Sequence, residues 1–116
     1  MRPAEAKEFS WSHGYSRLMT RERALATLRR LRQPLEARGI AHAALIGSVA
    51  RGQSRDDSDV DVVVTPAAGR RLDLIDLGGV QTLLDEGFGR DVDVIVEPVK
   101  KPDLRRAIAQ DRLDAF

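Results

Sequence analysis

The sequence predicts an α/β fold in a single domain, because strand-like and helix-like patterns alternate along its 116 residues. Three short apolar or valine-rich runs have the length of strands, and leucine-rich segments with helical spacing flank them. With 42% hydrophobic residues, a chain of this length can bury one core.

The first helix is predicted to begin after Thr20, whose hydroxyl is a typical N-cap, and to end near Arg38, just before Gly39. Pro34 lies inside this segment and predicts a kink or a division, because proline cannot donate a backbone hydrogen bond. The buried face is marked by leucines at three- and four-residue steps: Leu25, Leu28, Leu31 and Leu35.

The three strand patterns cover residues 43–46, 60–64 and 92–96. Between the second and the third, apolar residues over 72–84 predict one or two short helices, broken near the adjacent glycines at 78–79. A last helix is predicted from Asp103 to about Leu113.

Gly47 and Ser48 follow the first strand and are candidate nucleotide-binding residues. Because glycine has no Cβ, a triphosphate can approach its backbone closely. The Ser48 hydroxyl and the free N–H groups of the helical turn that it opens are donors for phosphate oxygens. Arg51 is a further candidate, either as a phosphate contact or as a brace for the acidic loop at Asp56 and Asp57.

Asp59 and Asp61 stand on either side of Val60 and are predicted to point the same way, because side chains alternate along a strand. Two adjacent carboxylates repel each other unless a cation lies between them, and Mg²⁺ prefers such oxygen ligands. A third carboxylate would complete a two-metal site. Asp93 in the third strand is our choice for it, and Asp91 is the alternative.

Either Asp-x-Asp pair alone fits solvated strand ends, since 32% of the residues are charged. The combination is more specific, because a Gly-Ser turn after one strand precedes an Asp-x-Asp that enters a second, valine-rich strand. We interpret Asp59, Asp61 and Asp93 as candidate catalytic and metal-binding residues. The spacing indicates metal-assisted nucleotidyl transfer.

Residues 47–52 and 58–61 resemble the signature of the minimal nucleotidyltransferases, a branch of the DNA polymerase β superfamily. The resemblance covers residues 20–116 and leaves 1–19 as an N-terminal extension. It implies a palm-like fold, with a small mixed β-sheet flanked by helices. It also implies two Mg²⁺ ions on Asp59, Asp61 and Asp93, with the triphosphate of ATP held at Gly47 and Ser48.

The same resemblance implies a partner and a reaction. Members of this family commonly act as antitoxins by transferring AMP from ATP onto a tyrosine of a HEPN-domain toxin. For this chain the corresponding hypothesis is an in-line attack by a protein hydroxyl on the α-phosphate of ATP, with pyrophosphate leaving.

Two alternatives stay open. In the first, the chain is a binding module that neutralises a toxin by covering it, without catalysis. In the second, the acceptor is a small molecule or the end of an RNA. A chain of 116 residues has little room for a separate acceptor-binding domain, which favours an acceptor on a partner protein.

Composition excludes several classes of function. Without cysteine, the chain has no disulfide, thiolate zinc site or cysteine nucleophile. No apolar stretch approaches membrane-spanning length, and the N-terminus lacks the apolar middle of a signal peptide. We therefore expect a cytoplasmic protein.

Positive charge is concentrated in the first half, where residues 1–55 hold 11 Lys and Arg against 4 Asp and Glu. Nucleic acid is nevertheless not expected as a direct partner, because the basic helix lacks interleaved aromatic residues and the net charge is only +1. Residues 1–19 are interpreted as a loosely ordered tail, or alternatively as a partner anchor formed by Phe9, Trp11 and Tyr15.

Overall fold

The computed structural model describes residues 18–55 and 58–116. Its helices are α1 (Arg21–Arg30), α2 (Arg32–Ala37), α3 (Gly47–Ala50), α4 (Leu74–Phe88) and α5 (Pro102–Asp111). Its strands are β1 (Ile40–Ile46), β2 (Val60–Pro66), β3 (Val92–Val96) and β4 (Leu113–Asp114). The four strands form one mixed sheet in the order β3-β2-β1-β4, which confirms the predicted α/β class.

Three predictions concern residues outside the described ranges. They are the aromatic anchor at Phe9, Trp11 and Tyr15, most of the extension over 1–19, and the acidic loop at 56–57. Met19, the last residue assigned to that extension, is buried in the main core at 4% exposure.

The first helix is divided, as the proline predicted. Thr20 caps α1, because its hydroxyl accepts a hydrogen bond from the backbone N–H of Arg23 at 3.1 Å. Pro34 has no N–H to donate to the carbonyl of Arg30, four residues earlier, and α1 ends there. Because α2 begins two residues before Pro34, the proline lies in its first turn, where it is tolerated.

The predicted break at residues 78–79 is wrong, since α4 is one helix of 15 residues. Its glycines permit close packing: a Cβ at Gly79 would lie 2.6 Å from the guanidinium carbon of Arg38, and one at Gly87 would lie 2.6 Å from Leu31. Tertiary packing thus outweighs the cost of about 1 kcal/mol that each glycine carries in a helix. The helix ends at Gly89, whose φ of +69° suits glycine.

The sheet joins antiparallel and parallel pairs. β1 is antiparallel to both β2 and β4, whereas β2 is parallel to β3. The sequence did not predict β4, because a two-residue strand carries no recognisable pattern.

The two faces of the sheet bury different clusters. On the main face, Val60, Val62 and Val64 of β2 are fully buried in a core shared with α1, α2 and α4. On the second face, Val63 packs with Ile46 and with Ile108 of α5. Asp61 lies on this second face, because successive side chains of a strand point to opposite sides.

In the described part of the chain, no helix is both long enough and apolar enough to cross a bilayer. The cytoplasmic location stays a prediction.

A substitution at the start of α4 tests its cap. The Asp73 carboxylate accepts a hydrogen bond from the N–H of Asp76 at 2.8 Å, and the Asp76 side chain accepts one from the N–H of Asp73. We expect Asp73→Ala to lower the free energy of unfolding by about 1 kcal/mol in urea denaturation. Asp73→Asn is the matched control and should cost a few tenths at most, because asparagine caps equally well. An equal loss in both variants would contradict the capping role.

Candidate active site

Asp61 and Asp93 occupy directly paired positions on the parallel strands β2 and β3. Adjacent strands lie about 4.8 Å apart, so the two carboxyl groups stand side by side on the second face of the sheet. Asp61 is partly buried and Asp93 is exposed. This register brings together residues that are 32 positions apart in the sequence.

The environment of Asp61 disfavours its negative charge. Burial is the largest cause, followed by the hydrogen bond with Asp93 and by the negative charges of Asp93 and Asp59, and together they raise the pKa of Asp61 to about 6. The positive charge of Arg51 acts in the opposite direction. A divalent cation would relieve this repulsion, because it supplies the missing positive charge.

The other predicted carboxylates lie around this pair. Asp59 precedes the first residue of β2 and is exposed, and it acts on Asp61 through its charge. Asp91 is exposed and precedes β3, outside the register that pairs Asp61 with Asp93. Among the residues described, no three or more His, Cys, Asp or Glu side chains are grouped so that they could hold a metal ion. The structure therefore brings together two of the three predicted ligands, with Asp59 at their edge.

Gly47 forms the turn from β1 into α3 and adjoins Asp61. Its φ is +75°, a conformation that residues with a Cβ rarely adopt. A Cβ at this position would also collide with Oδ2 of Asp61. Glycine is therefore required twice, for the backbone turn and for the space that the carboxyl group occupies.

Ser48 and Arg51 follow in the same turn. The carbonyl of Gly47 accepts a hydrogen bond from the N–H of Arg51 at 3.1 Å, and that of Ser48 accepts one from Gln53 at 2.9 Å. The Ser48 hydroxyl makes no hydrogen bond within residues 18–55 and 58–116, so it is available to a ligand. The guanidinium of Arg51 donates to Gln53 at 3.0 Å and forms an ion pair with Asp111 of α5 at 2.7 Å.

Asp111 and the residues that fix β3 were not predicted from the sequence. Asp111 stands 60 residues after Arg51, and nothing in the sequence joins the two. The Asp85 carboxylate in α4 accepts a hydrogen bond from the N–H of Val92 at 2.8 Å, while the Gln81 side chain donates to the carbonyl of Val92 at 2.7 Å. These contacts hold the backbone directly before Asp93.

Comparisons with known proteins identify the family of this chain. The chain belongs to the nucleotidyltransferase domain family, whose model matches residues 28–115. A relative from Methanocaldococcus jannaschii, which bears the name "Putative protein adenylyltransferase", is 31% identical over 78 residues, or 67% of this chain and 82% of that protein. The predicted nucleotidyltransferase enzyme is thereby confirmed.

Solved structures share the fold. One described as a "putative minimal nucleotidyltransferase" has a TM-score of 0.59 and 32% identity. The match covers 77% of this chain and 93% of that chain. A toxin–antitoxin structure with AMP-PNP has a TM-score of 0.63 at 19% identity. The match covers 79% of this chain and 72% of that chain. A structure of a tri-AMPylated Shewanella oneidensis HEPN toxin in complex with an MNT antitoxin has a TM-score of 0.60 at 15% identity. The match covers 84% of this chain and 72% of that chain. The palm-like, mixed-sheet fold and the resemblance to minimal nucleotidyltransferases are confirmed.

Alanine substitutions at two glycines separate strain from collision. Gly47 and Gly69 both have φ of +75°, but a Cβ at Gly69 would meet nothing within 4 Å. We expect Gly69→Ala to cost about 1–2 kcal/mol of unfolding free energy from backbone strain alone. Gly47→Ala should cost roughly 1–3 kcal/mol more, because Asp61 must move. Equal losses in thermal or urea unfolding would contradict the contact with Asp61.

The raised pKa of Asp61 predicts how the stability of the metal-free protein depends on pH. This pKa is higher in the folded protein than the ordinary value of 3.8, so protonation favours the folded state, and this contribution is lost as the pH rises through about 6. With a chelator present, Asp61→Asn should therefore be more stable than the wild type at pH 8. The gain should be about 1–2 kcal/mol, because partial solvation reduces the full value of roughly 1.4 kcal/mol per pKa unit.

This gain should shrink below pH 6 and vanish near pH 4, as followed by urea denaturation at each pH. Glu86→Gln, at an exposed site of α4, is the control and should show no such gain. A stability gain for Asp61→Asn that stays constant from pH 4 to pH 8 would contradict the raised pKa.

Proposed function

We propose that this nucleotidyltransferase uses Mg²⁺ to transfer AMP from ATP to a hydroxyl, most simply a tyrosine, of a HEPN-domain toxin, and so acts as its antitoxin. The observation that carries the proposal is the in-register pair Asp61 and Asp93 next to the Gly47 turn. The names of similar proteins support the choice of AMP and of the partner, since one is described as a protein adenylyltransferase and another as an antitoxin bound to an AMPylated toxin.

The donor atoms near Asp61 fit divalent ions. Carboxylate oxygens are the ligands that Mg²⁺ prefers, and the crowding that raises the pKa of Asp61 is the condition that a cation relieves. Asp59, Asp61 and Asp93 would hold the ions, with the remaining ligands supplied by water and by the phosphates of ATP. Bound there, the ions would lower the pKa of the attacking hydroxyl and neutralise charge on the phosphates.

The remaining residues of the site would bind and orient the nucleotide. Gly47 presents backbone without a Cβ, and the Ser48 hydroxyl is free to donate to a phosphate oxygen. Arg51, anchored to Asp111, adds positive charge beside Asp61 and steadies the turn, and its contact with a phosphate stays a prediction. In the transfer, the acceptor oxygen bonds to the α-phosphorus of ATP, the bond to pyrophosphate breaks, and the hydroxyl proton is released to solvent.

The test is intact-mass spectrometry of a HEPN-domain protein encoded beside this chain, after incubation with the chain, ATP and Mg²⁺. We expect a mass increase of one or more AMP units with the wild type and with Glu86→Gln, whose exposed side chain lies in α4. Asp61→Asn should reduce the transfer at least about a hundredfold, since a positioned charge contributes several kcal/mol to a transfer step.

Two other outcomes would count against the proposal. A stable complex without any mass increase would favour an antitoxin that acts by binding alone. Full transfer by a folded Asp61→Asn protein would exclude the carboxylate pair from the reaction.

A further inference from the structure

The outer edge of β3 is open along most of its length. β3 lies at one end of the sheet, so only one of its sides pairs with another strand, β2. The backbone groups of successive residues in a strand point alternately to its two sides. The N–H of Glu97 donates to the carbonyl of Val64 in β2 at 3.0 Å, which assigns the odd-numbered residues of β3 to the inner side. The backbone groups of the other three residues therefore point outward: Val92, Val94 and Val96.

Helix α4 satisfies only the first of these outward positions. The N–H of Val92 donates to the side chain of Asp85, and its carbonyl accepts from Gln81. Over the described parts of the chain, the backbone groups of Val94 and Val96 have no such partner. Both side chains are half-buried and pack on the main core, which fixes the strand. A row of free donors and acceptors on a fixed strand is a template for a further strand.

Helix α4 also leaves room beside this part of the edge. In a β-α-β unit the helix runs opposite to the strands, so earlier residues of α4 lie beside later residues of β3. Gly78 and Leu74 lie on the side of α4 that carries Gln81, because they precede it by three and seven residues. A Cβ at Gly78 would meet nothing within 4 Å, and the Leu74 side chain is 85% exposed. A docked segment would therefore find space and an apolar contact there.

The open edge adjoins the candidate active site. From β1 to β3, the Gly47 turn, Asp61 and Asp93 follow one another across the sheet. A strand added outside β3 would lie about 4.8 Å beyond it, and its residue level with Asp93 would point to the same face. A hydroxyl on that residue would approach the carboxylates from the side opposite the Gly47 turn. An in-line transfer needs this placement, because the attacking oxygen and the leaving group lie on opposite sides of the phosphorus.

Charge disfavours a second copy of this chain as the occupant of the edge. If two β3 strands paired antiparallel through Val94, Asp91 of one copy would face Glu97 of the other. A register that paired Val94 with Val96 would set Asp93 against Glu97 instead. Like charges directly opposite each other destabilise a strand pair. A segment of a different protein has no such conflict.

We propose that the outer edge of β3 docks an extended segment of the partner protein, which adds a fifth strand to the sheet. The main chain of the segment bonds to the backbone groups of Val94 and Val96. Its acceptor hydroxyl lies level with Asp93, and the apolar residues before and after it face α4 near Leu74. The position of the hydroxyl rests on the proposed transfer reaction, whereas the added strand requires neither ATP nor metal.

The test is residue-resolved amide exchange, measured by NMR on the full ¹⁵N-labelled chain without nucleotide or metal. The exchange is compared with and without the HEPN-domain protein encoded beside the chain. In the complex, the amides of Val94 and Val96 should exchange at least about tenfold more slowly, because each gains a hydrogen bond. The amide of Ile95 points to β2 and is the internal control, which should be slow in both states.

A matched pair of variants removes the hydrogen bond without the complex being altered elsewhere. Val94→Pro deletes the outward N–H, and an edge strand tolerates proline at such a position. Val94→Ala loses the side chain but keeps the N–H. Val94→Pro should bind the partner roughly tenfold more weakly than Val94→Ala. Far-UV circular dichroism checks that both variants are folded, and the exchange measurement on the unmodified chain decides if Val94→Pro is not.

The possible outcomes separate this proposal from the transfer reaction. AMP transfer without slower exchange at Val94 and Val96 would overturn the docking and leave the proposed function standing. Slower exchange without transfer would support the docking and count against the proposed function. In the chain alone, protection of both amides that rises with concentration would overturn the proposal in favour of a second copy. Protection that is lost on deletion of residues 1–17 would overturn it in favour of the N-terminal extension.

Discussion

The parallel pairing of β2 with β3 is the constraint on which the site depends. It aligns Val60 with Val92 and, one step further, Asp61 with Asp93. Because side chains alternate, the register that buries the valines against α1, α2 and α4 also sets the aspartates together on the other face. A slip of one residue would move the valines out of the main core and turn the carboxyl groups into it, so the hydrophobic core and the candidate site favour a single arrangement.

This arrangement stores electrostatic repulsion inside an otherwise well-packed sheet. Burial and two neighbouring carboxylates raise the pKa of Asp61. The carboxyl group has room only because Gly47 has no Cβ. Such a conflict between local stability and side-chain chemistry is typical of functional sites. The side chains of Gln81 and Asp85 hold the backbone of Val92 by hydrogen bonds, directly before Asp93.

Much of the fold could be predicted from local patterns. Valine runs marked β2 and β3, Thr20 marked the start of α1, and Pro34 marked the division after it. The continuity of α4 could not, because Gly79 and Gly87 are explained by the distant residues Arg38 and Leu31 rather than by helix propensity.

Contacts between distant residues also limit what the sequence predicts about the candidate site. The Gly-Ser turn and the aspartates were visible as a motif, but the pairing of Asp61 with Asp93 depends on strand register, and the Arg51–Asp111 ion pair on the position of α5. Under the proposed function, Asp61 and Asp93 together hold a divalent ion. The most direct test of this binding is calorimetric titration of Mn²⁺ with a non-hydrolysable ATP analogue into the wild type, Asp93→Asn and Asp91→Asn. We expect binding to be lost in Asp93→Asn and kept in Asp91→Asn, whereas undiminished binding in Asp93→Asn would contradict the proposed pair of ligands.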